Sequence, residues 1–257
     1  MRMLVVVAHP DDETFGTGSV IANAAGLGHD VTVCCATRGE AGKDESGATS
    51  SPDELAKVRE AELRAAAGVL GARDVVVLEG FADSGFEGQM PPRGLAVVPI
   101  EEVVSSVFAV VQEAQPHVVV TLDPKSVADH RDHARIGEAT TLAFERADLP
   151  EDARLYHWTM PCSAVNLWKD DARARGFLLE YSDSEIGRAD ADITTIVDVG
   201  HVRAIRDAAI AEHRTQTPPT HGSSPAVQEA LLCWDHLVRV VPPWTGGPIE
   251  TSLFDGI

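Results

Sequence analysis

The chain has 257 residues, 44% of them hydrophobic and 5% aromatic, with 21 basic residues against 40 acidic ones and a net charge of −19. An acidic balance of this size offers no source of phosphate neutralisation, which argues against nucleic acid or an anionic membrane surface as the main partner. The length and apolar content suit one α/β domain over residues 1–257; no stretch reaches membrane-spanning length, and the apolar start at Met3–Ala8 is too short for a secretory leader.

In chain order, Leu4–Ala8 is a short apolar run rich in β-branched residues, which predicts a strand buried on both faces. Directly behind it stand His9, Asp11, Asp12 and Glu13, with Pro10 stiffening the turn. One imidazole and three carboxylates on a rigid turn suit divalent-metal binding and proton transfer. The plainer reading is a polar turn capping the next helix, with Asp12 or Thr14 as N-cap. It accounts for one of these groups and leaves His9 and the remaining acids unexplained.

Thr14–Leu27 carries small and apolar residues suited to a helix closed by Gly28, and Val31–Ala36 predicts a second buried strand. The glycine-punctuated loop Thr37-Arg38-Gly39-Glu40-Ala41-Gly42 follows. Pro52–Leu70 is strongly helical and Gly71 ends it. Asp74–Leu78 predicts a third strand, Gly80–Gly94 an irregular loop, Ile100–Ala114 a helix and His117–Leu122 a fourth strand. Asp123–Asp132 is a second polar cluster, with a helix expected over Ala134–Arg146. Further strands are expected at Leu155–Met160 and Ile193–Val199, and helices at His201–His213 and Pro225–Val238. A helix in every crossover predicts a Rossmann-like, doubly wound, mainly parallel sheet with helices on both faces.

The four cysteines, Cys34, Cys35, Cys162 and Cys233, form no C-x-x-C pair and read as reduced residues of a cytoplasmic protein. Nothing in the sequence sets an oligomeric state.

Asp129-His130-Arg131-Asp132-His133 follows the fourth strand as His9–Glu13 follows the first. In a sheet of order 3-2-1-4-5 those strands are neighbours at the switch point, so both clusters face one crevice. A catalytic zinc site uses three protein ligands and keeps a position for water. His9, Asp12 and His133 form such a set, leaving Asp11 as general base. His130 is then an oxyanion donor, with Asp132 or Asp129 orienting its ring and keeping it protonated. The residue pattern by itself leaves open which carboxylate ligates and which abstracts a proton.

Ala8-His9-Pro10-Asp11-Asp12-Glu13 resembles the A-H-P-D-D-E signature of the LmbE/PIG-L family of zinc-dependent amino-sugar N-deacetylases. Residues 37–42 resemble its T-R-G-E-x-G loop, and Arg59, Glu62 and Leu63 with Leu70-Gly71 resemble its R-x-x-E-L helix. His130-Arg131-Asp132-His133 is similar to its H-P-D-H, with Arg131 in place of proline, and His213-Arg214-Thr215-Gln216 to its H-x-S-Q.

The resemblance implies one Zn²⁺ per chain on His9, Asp12 and His133, with Asp11 as base. It implies His130 as stabiliser of the tetrahedral intermediate, with Asp132 tuning it. Arg59 is implied to lie over the polar end of a small-molecule amino-sugar substrate. Asp83-Ser84-Gly85 and the segment Glu250–Ile257 resemble the mycothiol-pathway branch, which implies a sugar contact from Asp83 and a mycothiol-type glycoside as substrate. An antibiotic sugar or an S-conjugate amide is the alternative. A nucleotide-binding role lacks G-x-G-x-x-G after the first strand, and a purely sugar- or metal-binding relative would have no use for Asp11 as a base.

Overall fold

The computed structural model describes residues 1–86, 88–125, 130–176 and 186–257. Strand β1 (Arg2–Val7) leads through α1 (Asp12–Phe15) and α2 (Gly18–Gly26) to β2 (Asp30–Cys35). Helix α3 (Pro52–Val69), β3 (Asp74–Val77), α4 (Ile100–Ala114), β4 (Val118–Leu122), α5 (Arg131–Arg146), β5 (Arg154–Thr159) and α6 (Cys162–Ala174) follow. Then come β6 (Thr195–Asp198), α7 (Arg203–Ile210), α8 (Pro225–Leu232) and β7 (Trp234–Val241). The seven strands form one sheet of order β3-β2-β1-β4-β5-β7-β6.

The expected order 3-2-1-4-5 is realised, with all four pairings parallel. Val5 stands level with Val33 of β2 on one side and Val120 of β4 on the other. Central strands paired on both edges and covered on both faces must be apolar throughout, and Leu4–Val7 and Val118–Val120 are indeed fully buried. Right-handed crossovers running outward in opposite directions from β1 and β4 put their helices on opposite faces. Accordingly α4 packs on α5, whereas α2 and α3 both pack against α7.

Three expectations change. The helix expected over Thr14–Leu27 is broken into α1 and α2, because the buried guanidinium of Arg206 takes the carbonyls of Thr14, Phe15 and Gly16 at the junction. The helix expected to run to Val238 stops at Leu232. From Trp234 the chain alternates, with Asp235 and Leu237 turned inward, and enters the sheet antiparallel between β5 and β6. Helix α6 was not expected; it begins directly after Pro161. The four cysteines are unpaired, with Cys34 and Cys35 buried. No described helix is long and apolar enough to cross a membrane.

Candidate metal centre and active site

The switch point lies where β1 and β4 end side by side. Beyond Val7 the chain turns through His9 and Pro10 into Asp11, whose φ of 131° is one of two positive values among the described non-glycine residues. The Asp11 carbonyl accepts the N–H groups of Thr14 and Phe15 at 2.9 and 2.7 Å and so starts α1. The His9 N–H donates to Asp12 Oδ2 at 2.9 Å, folding that carboxylate back towards the imidazole. Across the crevice His130 caps α5: its Nδ1 accepts the Asp132 N–H at 3.3 Å.

These turns bring the expected ligand set together. Asp12 Oδ2 lies 3.5 Å from His9 Nδ1, and Asp12 Oδ1 lies 3.2 Å from His133 Nε2. The His9 and His130 rings are 4.3 Å apart, and those of His130 and His133 are 5.2 Å apart. Among the described residues, the side chains whose donor atoms all come close enough to share one ion are His9, His130 and His133, and His9, Asp83, His130 and Asp132, whereas Asp12 meets His9 with one oxygen and His133 with the other.

Nitrogen lone pairs facing carboxylate oxygens at these distances need protons or a cation between them. Asp11, Asp12, Asp83 and Asp132 surround the site, Arg59 pairs with the first of them, and Asp132 Oδ1 is buried with no hydrogen-bond partner among the described residues. The N, O, N donor set and this anionic surplus fit a divalent metal of the zinc type.

The electrostatics follow from burial and neighbours. Burial pushes the Asp11 carboxyl up to about 6, with Arg59 pulling it down and Asp12 adding to the rise. Burial acts likewise on Asp12, but His133 and His9 outweigh it and hold the carboxyl well below the usual range. Burial disfavours a charged His9, yet Asp83, Asp12 and Asp132 hold the ring well above its usual value.

The geometry gives three of the expected side chains partners that the sequence did not show. Asp132 was expected to orient His130; its Oδ2 instead accepts from His9 Nε2 at 3.1 Å and from the Ser84 N–H at 2.9 Å. His130 was expected to be held protonated by a carboxylate. Its Nδ1 is instead an acceptor for a peptide N–H, and burial with the neighbouring His9 and His133 pushes the ring down to about 3. A neutral ring with Nδ1 accepting carries its proton on Nε2, 3.8 Å from Asp83. The alternative orienting residue, Asp129, lies outside the described residues.

Arg59 was expected over the substrate. It lines the cavity but is 3% exposed, and its guanidinium donates to Asp11 Oδ2 at 2.9 Å, Pro10 O at 2.5 Å and Gly39 O at 2.7 Å. Asp83 lines the cavity, but it is 4% exposed and turned 3.4 Å from His9 Nε2. Arg131, which stands where proline was expected, donates to Phe86 O at 2.7 Å and ties the start of α5 to the loop carrying Asp83.

The site opens into a cavity of about 610 Å³. It is lined by His9, Asp11, Asp12, His130 and His133 and by apolar side chains that include Trp158, Met160, Trp168, Ile186, Leu231 and Leu232.

Other contributors stood in the sequence patterns with no partner assigned to them. Glu62, three positions after Arg59 on α3, accepts the N–H and hydroxyl of Thr215 at 3.0 and 2.6 Å. The i, i+3 spacing of Arg59 and Glu62 was the available signal, since it puts both on one helix face. Glu13, a possible alternative base from sequence, has a fully buried side chain bound to its own turn and to His213.

Fold and site together define a Rossmann-like α/β protein with a histidine–aspartate centre at the switch point. The chain belongs to the PIG-L family: the family model described as GlcNAc-PI de-N-acetylase matches residues 4–144. It is 34% identical, over 100% of its length and 97% of the relative's, to the 1D-myo-inositol 2-acetamido-2-deoxy-alpha-D-glucopyranoside deacetylase of Rhodococcus erythropolis.

Among solved structures it resembles the N,N'-diacetylchitobiose deacetylase of Pyrococcus horikoshii, with a TM-score of 0.64 and 21% identity, covering 93% of this chain and 83% of that one. It also resembles GalB, the 4-carboxy-2-hydroxymuconate hydratase of Pseudomonas putida KT2440, with a TM-score of 0.64 and 18% identity over 96% and 99% of the two chains. At these identities the likeness speaks to the fold alone, so the side chains of the site must carry the functional argument.

Proposed function

We propose that this protein is a zinc-dependent N-deacetylase that hydrolyses the acetamide of an N-acetylated amino sugar to acetate and the free amine. The observation that carries the reading is Asp12 bridging towards His9 and His133, with Asp11 beside it in the same cavity. His9, Asp12 and His133 would hold the ion. The chemistry that a bound zinc ion supplies is Lewis acidity towards a water and an amide carbonyl.

The chain's own groups do the rest. Asp11, fixed by Arg59, takes a proton from the attacking water and returns it to the nitrogen as the C–N bond breaks. His130 Nε2–H donates to the amide oxygen as negative charge develops on it. Asp132 holds the His9 ring. Asp83 lines the cavity beside His130 and presents its remaining oxygen to the sugar.

The Rhodococcus relative, matched end to end, supports an N-acetylglucosaminyl inositol as the substrate. The apolar wall of Trp158, Met160, Trp168 and Leu231 favours a second reading, an amide carrying an apolar group, such as an S-conjugate. One catalytic unit over 1–257 is supported by the single sheet, and a cytoplasmic location by the free thiols.

The test is metal analysis together with acetate release from a panel containing both amide types. About one zinc per chain and acetate release from the inositol glycoside are expected, with both lost in His133→Ala. Asp11→Asn should keep the metal and lose on the order of a hundredfold or more in turnover. Full metal occupancy in His133→Ala would overturn the ligand set, and near-normal turnover in Asp11→Asn would overturn the base.

A further inference from the structure

Asp11 sits at φ 131° and ψ −31°, a backbone conformation that L residues rarely adopt. Such a conformation persists only where its surroundings over-determine it, and these positions cluster at functional sites. Arg59 holds the Asp11 side chain from the front. The peptide is held from behind, because the Asp11 N–H donates to Glu13 Oε2 at 2.9 Å.

Glu13 is a fully buried carboxylate that does not line the cavity. Its Oε1 accepts from the Thr14 hydroxyl at 2.5 Å and from His213 Nε2 at 2.6 Å. His213 follows α7, is 2% exposed, and sets its ring against Phe15, which is among the residues lining the cavity. A carboxylate accepts only, so Nε2 is the donor of this pair.

We propose that Glu13 and His213 are positioning residues: His213 anchors the Glu13 carboxylate, which holds the Asp11 peptide in its strained conformation and aims the Asp11 side chain into the cavity. The inference rests on the reading of Asp11 as the base. It assigns to the far end of the chain, 200 residues away, a share in placing the reacting group. Burial alone would make His213 a space-filling residue, and the two roles predict different responses to substitution.

Glutamine places an amide N–H where Nε2 stands, whereas asparagine places one where Nδ1 stands. His213→Asn should therefore lose about ten- to a hundredfold in kcat through misplacement of the base, with KM within about threefold of wild type. Its zinc content should be unchanged, measured by elemental analysis. His213→Gln should recover kcat to within about threefold of wild type, because the bond to Glu13 is restored. In the metal-free protein, amide exchange at residues 9–14 should be faster in His213→Asn than in His213→Gln. Adding His213→Asn to Glu13→Ala should lower kcat no further, since both changes break one chain of contacts.

Equal kcat in the asparagine and glutamine variants, or a loss of kcat that tracks loss of zinc, overturns the proposal. Should His213→Asn not fold, Glu13→Gln decides. Its single amide oxygen cannot accept from both the Asp11 N–H and His213 Nε2, so about a tenfold fall in kcat at unchanged zinc content supports the proposal, and wild-type kcat overturns it. Asp11→Asn, run alongside on an N-acetylglucosaminide, separates the two readings. If it is fully active the base assignment fails; if it is inactive while His213→Asn is normal, only the bracing role fails.

Discussion

His9 Nε2 donates to Asp132 Oδ2 at 3.1 Å, while His9 Nδ1 faces Asp12 at 3.5 Å. One imidazole thus joins the two clusters, with a buried carboxylate fixing its tautomer from the side away from Asp12. Asp132→Ala should weaken zinc binding by about ten- to a hundredfold, the usual cost of losing a carboxylate behind a ligating histidine. A competition titration against a chromogenic chelator measures it. Unchanged affinity with reduced turnover would return Asp132 to the role first expected of it, orienting His130.

His130 is held by a peptide N–H at Nδ1 and needs no charge to act, because its neutral ring keeps a proton on Nε2. His130→Ala should retain its metal and its substrate affinity. It should lose about 2–4 kcal/mol of transition-state stabilisation, the size of a missing oxyanion donor. Steady-state kinetics with parallel metal analysis decides the matter, and a metal-free variant would make His130 a ligand.

Arg59 and Asp11 share one bond at 2.9 Å, and the Arg59 guanidinium fills the space over Gly39 and Gly42. A methyl group at either glycine would collide with it. Gly42 does not have a positive φ, so Gly42→Ala adds no backbone strain of that kind and tests the displacement alone. We expect about a tenfold or greater fall in kcat at unchanged zinc content, as for a misplaced reacting group. Arg59→Ala should act in the same direction, on kcat more than on KM. A rise in KM alone would place Arg59 on the substrate after all.

The buried pair of His213 and Glu13 makes stability depend on pH. Burial opposes the charge on His213, but Glu13 raises its folded value above the ordinary 6.5. A raised histidine contributes fully below its unfolded value and loses that contribution as the pH rises through the folded one. The stability advantage of wild type over His213→Gln, which cannot titrate, should be constant below pH 6.5 and shrink above it. Denaturant melts between pH 5 and pH 9 measure it, and an advantage that grows with pH would refute the pairing.

Much of this site was legible because it obeys short-range rules. Leu4–Ala8 and His117–Leu122 are apolar runs that only a doubly covered sheet can bury, and each is followed by its acid–imidazole cluster. Topology then brings His9, Asp12, His130 and His133 to one crevice without knowledge of any side-chain angle. The A-H-P-D-D-E string added the family, to which the chain belongs. The strand at Trp234–Val241 was missed because the preceding helical pattern runs into it, and sheet pairing rather than local propensity decides its state.

The order β3-β2-β1-β4-β5, the crevice and the residues meeting in it were therefore determined by the sequence, since strand burial and crossover handedness act on patterns that it displays. Only the tertiary structure decided which partner each polar group takes. Asp132 lies within reach of both His9 and His130, Arg59 within reach of both Asp11 and the cavity, and Glu13 one residue from Asp12 yet bonded to His213. Hydrogen bonds are chosen over distances of about 3 Å, and backbone angles such as φ 131° at Asp11 set those distances. No spacing in a one-dimensional string encodes a difference that small.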